Sequence, residues 1–283
     1  MKNYKYLLPL SIFLVACGPE KKQEVQAVTT RPEEKATIPE LEYTLGNTLP
    51  HDTTSFTEGL LFYNNELFES TGSPEGSSFK SGFGTVDLKT GKINVKAELD
   101  KEMYNPLKKV KEHVFGEGIV VLKNKIYQVT WQNQTGFIYD AKTFKKAGQF
   151  NYPNKEGWGM TTDGTSIIMS DGTEVLSFFD ADFRPVKTLS VKENGYAKED
   201  LNELEFINGF IYANVWMTGD IVKIDPATGN VVARINLTPL SYEVKNFNPR
   251  SLEMNGIAYD AASDKIYVTG KAWPKIYEVK FQH

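Results

Sequence analysis

Apolar and polar residues alternate in short runs along most of this chain. Residues 125–131, Lys-Ile-Tyr-Gln-Val-Thr-Trp, form one such run, and residues 265–269, Lys-Ile-Tyr-Val-Thr, form another. Alternation with a period of two is typical of strands that bury one face, and the tyrosines and phenylalanines in these runs also favour strands over helices. The pattern therefore predicts an all-β protein.

The alternating runs are organised into five similar units. The units begin near residues 56, 115, 157, 201 and 254. Their starts are about 40 to 60 residues apart, and each unit contains about four short strands. This repeat is typical of propeller blades, so we expect residues 41–283 to form a five-bladed β-propeller. A β-sandwich is the alternative, but sandwiches show no such repeat.

Equivalent positions of the five units carry residues suited to ligand binding. The first strands bring the following residues to one level: Glu58, Glu117, Trp158, Asn202 and Asn255. The second strands end in Thr71, Trp131, Asp171, Trp216 and Lys271. Since the innermost strands of a propeller line its central channel, we expect these side chains to converge on one funnel. Aromatic walls with a few polar groups are typical of a small-ligand pocket.

Most of these residues also have a structural interpretation. The asparagines could cap strand ends, the tryptophans could pack between blades, and Lys271 could form a salt bridge. Glu117 is harder to explain in this way, because it stands between two glycines and a buried, unpaired carboxylate is costly. Glu203 and Glu205 flank Leu204 in the fourth unit, and this alternation favours a structural role for both.

Three segments exceed the repeat: residues 100–113, 191–200 and 239–250. The first two are charged and are expected to form short helices or loops. All three directly precede the first strand of a unit, so we expect them to help wall the binding site.

The composition excludes several classes of protein. The 283 residues are 24% charged and 40% hydrophobic, enough for a sizeable core. The net charge is −4 and no long basic run is present, so no nucleic-acid partner is expected. His51, His113 and His283 are far apart and Cys17 is the single cysteine, so neither an imidazole nor a thiolate zinc site is expected.

The first 40 residues are predicted to direct the protein to a membrane. Residues 1–17 have a basic start, a short apolar run and Leu-Val-Ala-Cys at 14–17. This ending resembles a bacterial lipobox, with Cys17 as the lipidated residue, although an ordinary signal peptide is the alternative. Residues 18–40 are polar and predict a disordered tether. We therefore expect a lipid-anchored protein of the bacterial cell envelope, in the periplasm or at the outer membrane.

The motifs at the unit starts and strand ends resemble those of one known family. The resemblance spans roughly residues 41–281 and rests on Phe-Thr-Glu-Gly-Leu at 56–60, Glu-Ser-Thr-Gly at 69–72, Phe-Gly-Glu-Gly at 115–118, Thr-Trp at 130–131, Gly-Trp-Gly at 157–159, Leu-Asn-Glu-Leu-Glu at 201–205, Ala-Asn-Val-Trp at 213–216, and the segments 255–260 and 269–275. In their order and spacing they resemble the plant and bacterial type of glutaminyl-peptide cyclotransferase, a five-bladed propeller enzyme.

The resemblance implies an activity and a set of site residues. It implies conversion of the N-terminal glutamine of peptides or proteins to pyroglutamate, with release of ammonia. It implies that Glu117 is the proton carrier, and that the substrate contacts are Trp131, Trp158, Trp216, Asn202, Lys271 and position 58. The family usually has glutamine at that last position, where this chain has Glu58, so its contact there is altered. No catalytic metal, no cofactor and a monomeric protein are expected.

Two other functions stay open on the residues themselves. One is a non-catalytic surface propeller that binds a peptide or a glycan in its funnel. The other is a calcium-dependent, lactonase-like hydrolase, whose ion would need several carboxylate and amide oxygens. Glu58, Asn202 and Asn255 could supply some of these, although three indoles at the same mouth fit such a site poorly.

Overall fold

The computed structural model describes residues 37–105 and 109–283. The predicted signal peptide, Cys17 and most of the predicted tether lie outside the described residues. Pro39 and Leu41, next to the predicted boundary at residue 41, hydrogen-bond through their backbones to Arg234. Within the described ranges, no helix is long and apolar enough to cross a bilayer.

The secondary structure is almost entirely β. In chain order, the strands before the third blade are β1 (Thr44–Pro50), β2 (Thr57–Tyr63), β3 (Glu66–Thr71), β4 (Gly82–Val86), β5 (Ile93–Glu98), β6 (Glu102–Asn105), β7 (Val110–His113), β8 (Gly116–Leu122), β9 (Lys125–Thr130), β10 (Thr135–Asp140) and β11 (Lys146–Asn151). The remaining elements are β12 (Met160–Thr162), β13 (Ile167–Met169), β14 (Val175–Phe179), β15 (Pro185–Ser190), β16 (Lys192–Glu193), β17 (Tyr196–Ala197), β18 (Leu201–Ile207), β19 (Phe210–Val215), β20 (Asp220–Ile224), β21 (Val231–Asn236), α1 (Thr238–Phe247), β22 (Met254–Asp260), β23 (Lys265–Gly270) and β24 (Lys275–Lys280).

These strands form the five-bladed propeller that the repeat predicts. In the described residues there are five four-stranded antiparallel sheets: β2–β5, β8–β11, β12–β15, β18–β21, and β22–β24 completed by β1. The first strands β2, β8, β12, β18 and β22 contact one another in a closed cycle, so they form the innermost ring. Because β1 pairs with β24, from Thr44 opposite Lys280 to Pro50 opposite Lys275, the two ends of the propeller close the ring.

The hydrophobic core lies between the blades. One cluster, for example, joins Phe178 of the third blade to Leu204 and Val222 of the fourth. At the axis, small residues let the innermost strands approach closely: a Cβ atom on Gly118 would lie 2.4 Å from the Trp158 carbonyl oxygen. The amide of Gly118 instead donates a 2.8 Å hydrogen bond to that oxygen, which links the second and third blades.

Two buried glutamates also link the blades, as the sequence pattern suggests. Glu203 accepts hydrogen bonds from the Leu60 amide over 3.2 Å and the Ile257 amide over 2.7 Å. Glu205 accepts one from the Tyr259 amide over 2.8 Å. Burial raises the pKa of Glu203 well above its usual range and that of Glu205 to about 8. Glu203 therefore joins the fourth blade to the first and the fifth, Glu205 joins it to the fifth, and neither residue lines the channel mouth.

The inserts differ from their predicted form. Residues 100–113 and 191–200 were expected to be helices or loops, but they contain the antiparallel hairpins β6–β7 and β16–β17. The second hairpin turns at Asn194 and Gly195, whose φ angles of 54° and 84° suit a two-residue hairpin turn. Among the described residues of the three inserts, a helix occurs in the third alone, and this helix α1 has a proline in its first turn.

Candidate active site

All seven site residues predicted from the sequence line one cavity of about 580 Å³, a volume typical of ligand pockets. They are Glu58, Glu117, Trp131, Trp158, Asn202, Trp216 and Lys271. The cavity lies at one end of the central channel, where the innermost strand of each blade begins and the second strand ends. Hairpin β6–β7 adds Glu112 and His113 to its wall, as expected of an insert. The other two inserts, whose residues are all described, do not line it.

Register shifts in the innermost strands place the polar residues at the axis. Strand β2 pairs Thr57 with Thr71 and Gly59 with Ser70, so Glu58 is an extra residue in the ladder. Comparable shifts occur at Glu117 in β8, at Asn202 in β18, and at the start of β22. Such bulges re-aim side chains and are common beside functional sites. The bulged strand starts therefore turn both carboxylates and the amide towards the cavity.

The carboxyl groups of Glu58 and Glu117 hydrogen-bond to each other at the floor of the cavity. Both side chains are buried, with 1% and 6% of their residue surface exposed. Glu58 Oε1 also accepts from Lys271 Nζ over 2.9 Å, and Glu58 Oε2 accepts from Asn255 Nδ2 over 3.0 Å. Because Glu58 faces two other donors, its ionised form is the better satisfied of the pair.

Burial and mutual repulsion keep one proton on this pair. Burial raises the pKa of Glu117 well above its usual range, and the neighbouring Glu58 carboxylate raises it further. Burial also raises the pKa of Glu58, to about 7, although Lys271 opposes that rise. Glu58 therefore loses its proton before Glu117 does, and when the pair holds one proton it resides mainly on Glu117. Such a pair can both release and accept a proton.

Lys271 lies between two carboxylates. Its Nζ is 2.9 Å from Glu58 Oε1 and 3.0 Å from Glu253 Oε1, and it stands 4.5 Å from the centre of the Phe56 ring. Burial disfavours the charge on Lys271, but the surrounding carboxylates outweigh burial and raise its pKa. Glu253 also accepts a hydrogen bond from the Trp216 side chain. Lys271 is therefore a permanent cation that balances the acidic floor.

The three predicted tryptophans form the walls of the cavity. Trp158 and Trp216 pack edge to face, with ring centres 5.6 Å apart, and Trp131 packs in the same way against Phe115 over 6.1 Å. Trp131 and Trp216 keep 39% and 40% of their surface exposed, so both can contact a ligand. The walls are apolar faces set at steep angles to one another.

Sequence reasoning missed two acidic residues that organise this site. Glu253, one residue before β22, binds Lys271, and Glu156 accepts hydrogen bonds from Trp131 and Trp158. Both lie in connections between blades, where the repeat provides no equivalent position. The only signal for Glu156 was its place two residues before Trp158.

Three residues of the predicted ring do not line the cavity. Asn255 lies behind Glu58, where its amide donates to that carboxylate. Asp171 binds Asn154 over 2.8 Å and the following turn at Thr173, so it has a local structural role. Thr71 donates a long bond of 3.4 Å to the carbonyl oxygen of Gly82.

The carboxylate oxygens at the floor of the cavity are arranged to accept hydrogen bonds from nitrogen donors, and they are not arranged to coordinate a calcium ion. A calcium site needs several oxygens facing one cation. Both Glu58 oxygens already face nitrogen donors, from Lys271 and Asn255. Within the described residues, no three His, Cys, Asp or Glu side chains are grouped as metal ligands.

Comparisons with known proteins agree on one family. A family model described as glutamine cyclotransferase matches residues 21–281. A curated protein of Arabidopsis thaliana, glutaminyl-peptide cyclotransferase, is 39% identical over 236 residues, which are 82% of this chain and 69% of that protein. The crystal structure of Myxococcus xanthus glutaminyl cyclase superposes with a TM-score of 0.73 at 31% identity, covering 86% of this chain and 98% of that one.

Proposed function

This chain belongs to the glutamine cyclotransferase family, and we propose that it converts the N-terminal glutamine of peptides and proteins to pyroglutamate with release of ammonia. The observation that carries the proposal is the hydrogen-bonded pair of Glu58 and Glu117 at the floor of an indole-walled cavity. This cyclisation needs an acid that can give and take a proton. It also needs a wall that selects one conformation of a small side chain.

The reaction joins two groups of the same residue. The α-amine attacks the γ-carboxamide carbon, a new carbon–nitrogen bond closes a five-membered lactam, and the old carbon–nitrogen bond breaks to release ammonia. Because both groups are tethered, correct orientation can supply roughly 7 to 11 kcal/mol of the barrier. The proton lost by the amine must reach the leaving nitrogen. The enzyme therefore has to fold the glutamine side chain and move one proton.

The tryptophans perform the folding in this proposal. Trp131, Trp158 and Trp216 enclose a space bounded by flat faces at steep angles, which admits a compact rotamer and excludes an extended one. The same walls exclude water from the reacting groups, which strengthens the polar contacts inside.

Glu117 is the proton carrier. In the fraction of molecules in which it is ionised, which grows as pH rises towards its raised pKa, it accepts the proton of the attacking amine, and it then delivers that proton to the leaving nitrogen. Glu58, held beside Lys271, contacts the incoming amino group. The proposed steps use side chains alone and need no metal or cofactor.

Asn202 and Lys271 supply the remaining polar contacts. Asn202 is buried and lines the cavity, and its Oδ1 has no hydrogen-bond partner among the described residues. Because Oδ1 is shielded from solvent, the amide can donate to the substrate carboxamide oxygen through Nδ2, or accept from the carboxamide if its two ends are exchanged. Lys271 stabilises negative charge as it develops on the carboxamide oxygen.

The proposal is tested with a Gln-initiated dipeptide amide, by following ammonia release and pyroglutamate formation. The matched control is the Asn-initiated dipeptide amide, whose side chain is one methylene shorter and would have to close a strained four-membered ring. We expect release from the first substrate alone. Tight binding of the Gln peptide without ammonia would favour a non-catalytic binding propeller instead.

We also infer that Cys17 carries the lipid anchor of a monomeric envelope protein, with residues 1–17 as the signal peptide, 18–40 as the tether and 41–283 as the catalytic domain. The lipobox-like end of the leader and the polar composition of the tether support this. Radiolabelled fatty acid should be incorporated in cells by the full chain and not by a Cys17→Ser variant.

A further inference from the structure

Glu156 binds two of the three cavity indoles through a single oxygen atom. The Nε1–H groups of Trp131 and Trp158 donate to Glu156 Oε2 over 2.7 and 2.9 Å. The other oxygen, Oε1, accepts from Gln132 Nε2 over 2.9 Å. Both tryptophans line the cavity, whereas Glu156 is outside its lining. Its carboxylate therefore acts on the cavity through the rings it binds.

The position of Glu156 couples two blades. It lies in the connection between β11 of the second blade and β12 of the third. Trp131 directly follows β9 of the second blade, and Trp158 lies two residues before β12, the first strand of the third blade. The neighbouring Gly157 amide donates to the Trp131 carbonyl oxygen over 2.9 Å, which fixes the backbone of this connection as well. One carboxylate therefore holds side chains from two blades in a fixed relation.

The hydrogen bond to Glu156 constrains the orientation of the Trp131 ring more than packing does. Trp131 is 39% exposed, and its ring contact with Phe115 is at an edge. A tryptophan ring can turn about both of its side-chain bonds unless its N–H is held. Hydrogen bonds to an ionised acceptor are about twice as strong as neutral ones. The bond to Glu156 is thus the contact that sets the plane of this wall.

We propose that Glu156 is a positioning residue, which sets the mutual angle of Trp131 and Trp158 so that the cavity accepts only the folded glutamine rotamer. The inference rests on the proposed cyclisation. Turning either ring would leave the bound glutamine side chain less well held in the reactive rotamer. Loss of the contact is therefore expected to lower kcat and kcat/KM by a similar factor and to leave KM nearly unchanged, because orientation for the reaction is lost and binding is not.

Two substitutions separate geometry from charge. Glu156→Asp keeps the charge but shortens the side chain by one methylene, so it cannot reach both indole N–H groups. Glu156→Gln removes the charge but keeps an oxygen at the same distance. We expect the aspartate variant to lose about 10- to 100-fold in kcat/KM, with most of the loss in kcat, and the glutamine variant to retain most activity. The matched control is Glu193→Ala, which breaks a carboxylate contact with Arg234 away from the cavity and should keep the wild-type rate.

A double-mutant cycle tests whether Glu156 affects activity through the rings of Trp131 and Trp158. In a protein carrying Trp131→Phe and Trp158→Phe, which lacks both N–H donors, Glu156→Asp should cost little further activity. Wild-type kcat/KM in Glu156→Asp, or equal costs in both backgrounds, would overturn the inference. So would a pattern in which Glu156→Gln is impaired and Glu156→Asp is not, since that identifies charge as the cause. A wild-type protein that releases no ammonia would instead overturn the proposed function itself.

Discussion

The carboxyl groups of Glu58 and Glu117 hydrogen-bond to each other, although they stand on the innermost strands of neighbouring blades. Each is placed by a bulge at the start of its strand, and Lys271 binds only the first of the two directly. The arrangement makes Glu58 the more readily ionised partner and Glu117 the one that holds its proton longer as pH rises. Most of the chemistry proposed for this protein follows from that asymmetry.

The pH dependence of the reaction should change when Glu58 loses its charge. In Glu58→Gln, Glu117 no longer faces a like charge, so its pKa should fall. Because Glu117 must be ionised to accept the amine proton, the acidic limb of the kcat/KM profile should move to lower pH, by about one unit or more. Profiles of the wild type and the variant with a Gln-initiated peptide measure the shift. An unmoved acidic limb would show that the two carboxyls do not interact.

Removing the cation from the floor should destabilise the fold. Lys271→Met leaves Glu58 and Glu253 buried without their partner, and breaking a buried ion pair costs about 3 to 5 kcal/mol. Urea unfolding of both proteins measures the change. The control is Lys111→Met, which removes an exposed pair with Glu102 and should cost less than about 1 kcal/mol. Similar losses in the two variants would contradict the structural account of Lys271.

A buried histidine should make stability depend on pH. His51 donates to the Trp273 carbonyl oxygen over 2.8 Å and to both Glu69 carboxylate oxygens over 3.1 Å, near the closure of the ring. Burial opposes the charged imidazole, but Glu69 outweighs burial and raises its pKa. Since the folded pKa is the higher one, this contribution to stability is complete below about pH 6.5 and is lost as pH rises through the folded pKa.

The histidine prediction is checked by comparing His51→Gln with the wild type across pH. The difference between their unfolding free energies should be largest at acid pH and shrink at alkaline pH. Glu203 and Glu205 also make stability fall with rising pH, because their folded pKa values are raised, but they do so in both proteins. A constant difference would show that His51 is not charged in the folded state.

Much of the site could be predicted from the sequence because it depends on the repeat. Alignment of the unit starts placed Glu117 and Trp158 at one mouth, and both line the cavity. The alignment also suggested Asp171, which instead binds a local turn. A repeat gives the level of a residue along the axis, but it does not give the direction in which a side chain turns.

The rest could not be predicted because it lies outside the repeat. Glu156 and Glu253 act from connections whose course depends on the folded blades. The hairpin of residues 191–200 had a local signal, since Asn194 and Gly195 form a common two-residue turn, but the charged composition suggested a helix or loop. The conformation of a short segment depends more on its turn residues than on its overall composition.

Catalysis should not depend on a divalent cation. The proposed steps use side chains of the protein and the amine and carboxamide of the substrate. After dialysis against a chelator, kcat/KM with a Gln-initiated peptide should stay at the untreated value. A loss that added calcium restores would favour the lactonase-like alternative.

The central claim is that Glu117 carries the proton from the amine to the leaving nitrogen, and one comparison tests it most directly. It is the kcat/KM for ammonia release of the wild type and of Glu117→Gln, measured at the optimal pH of the wild type with folding checked by unfolding curves. The account predicts a fall of about 10²- to 10⁴-fold in the variant, the usual contribution of a positioned acid and base. A folded Glu117→Gln protein with the wild-type rate would contradict it.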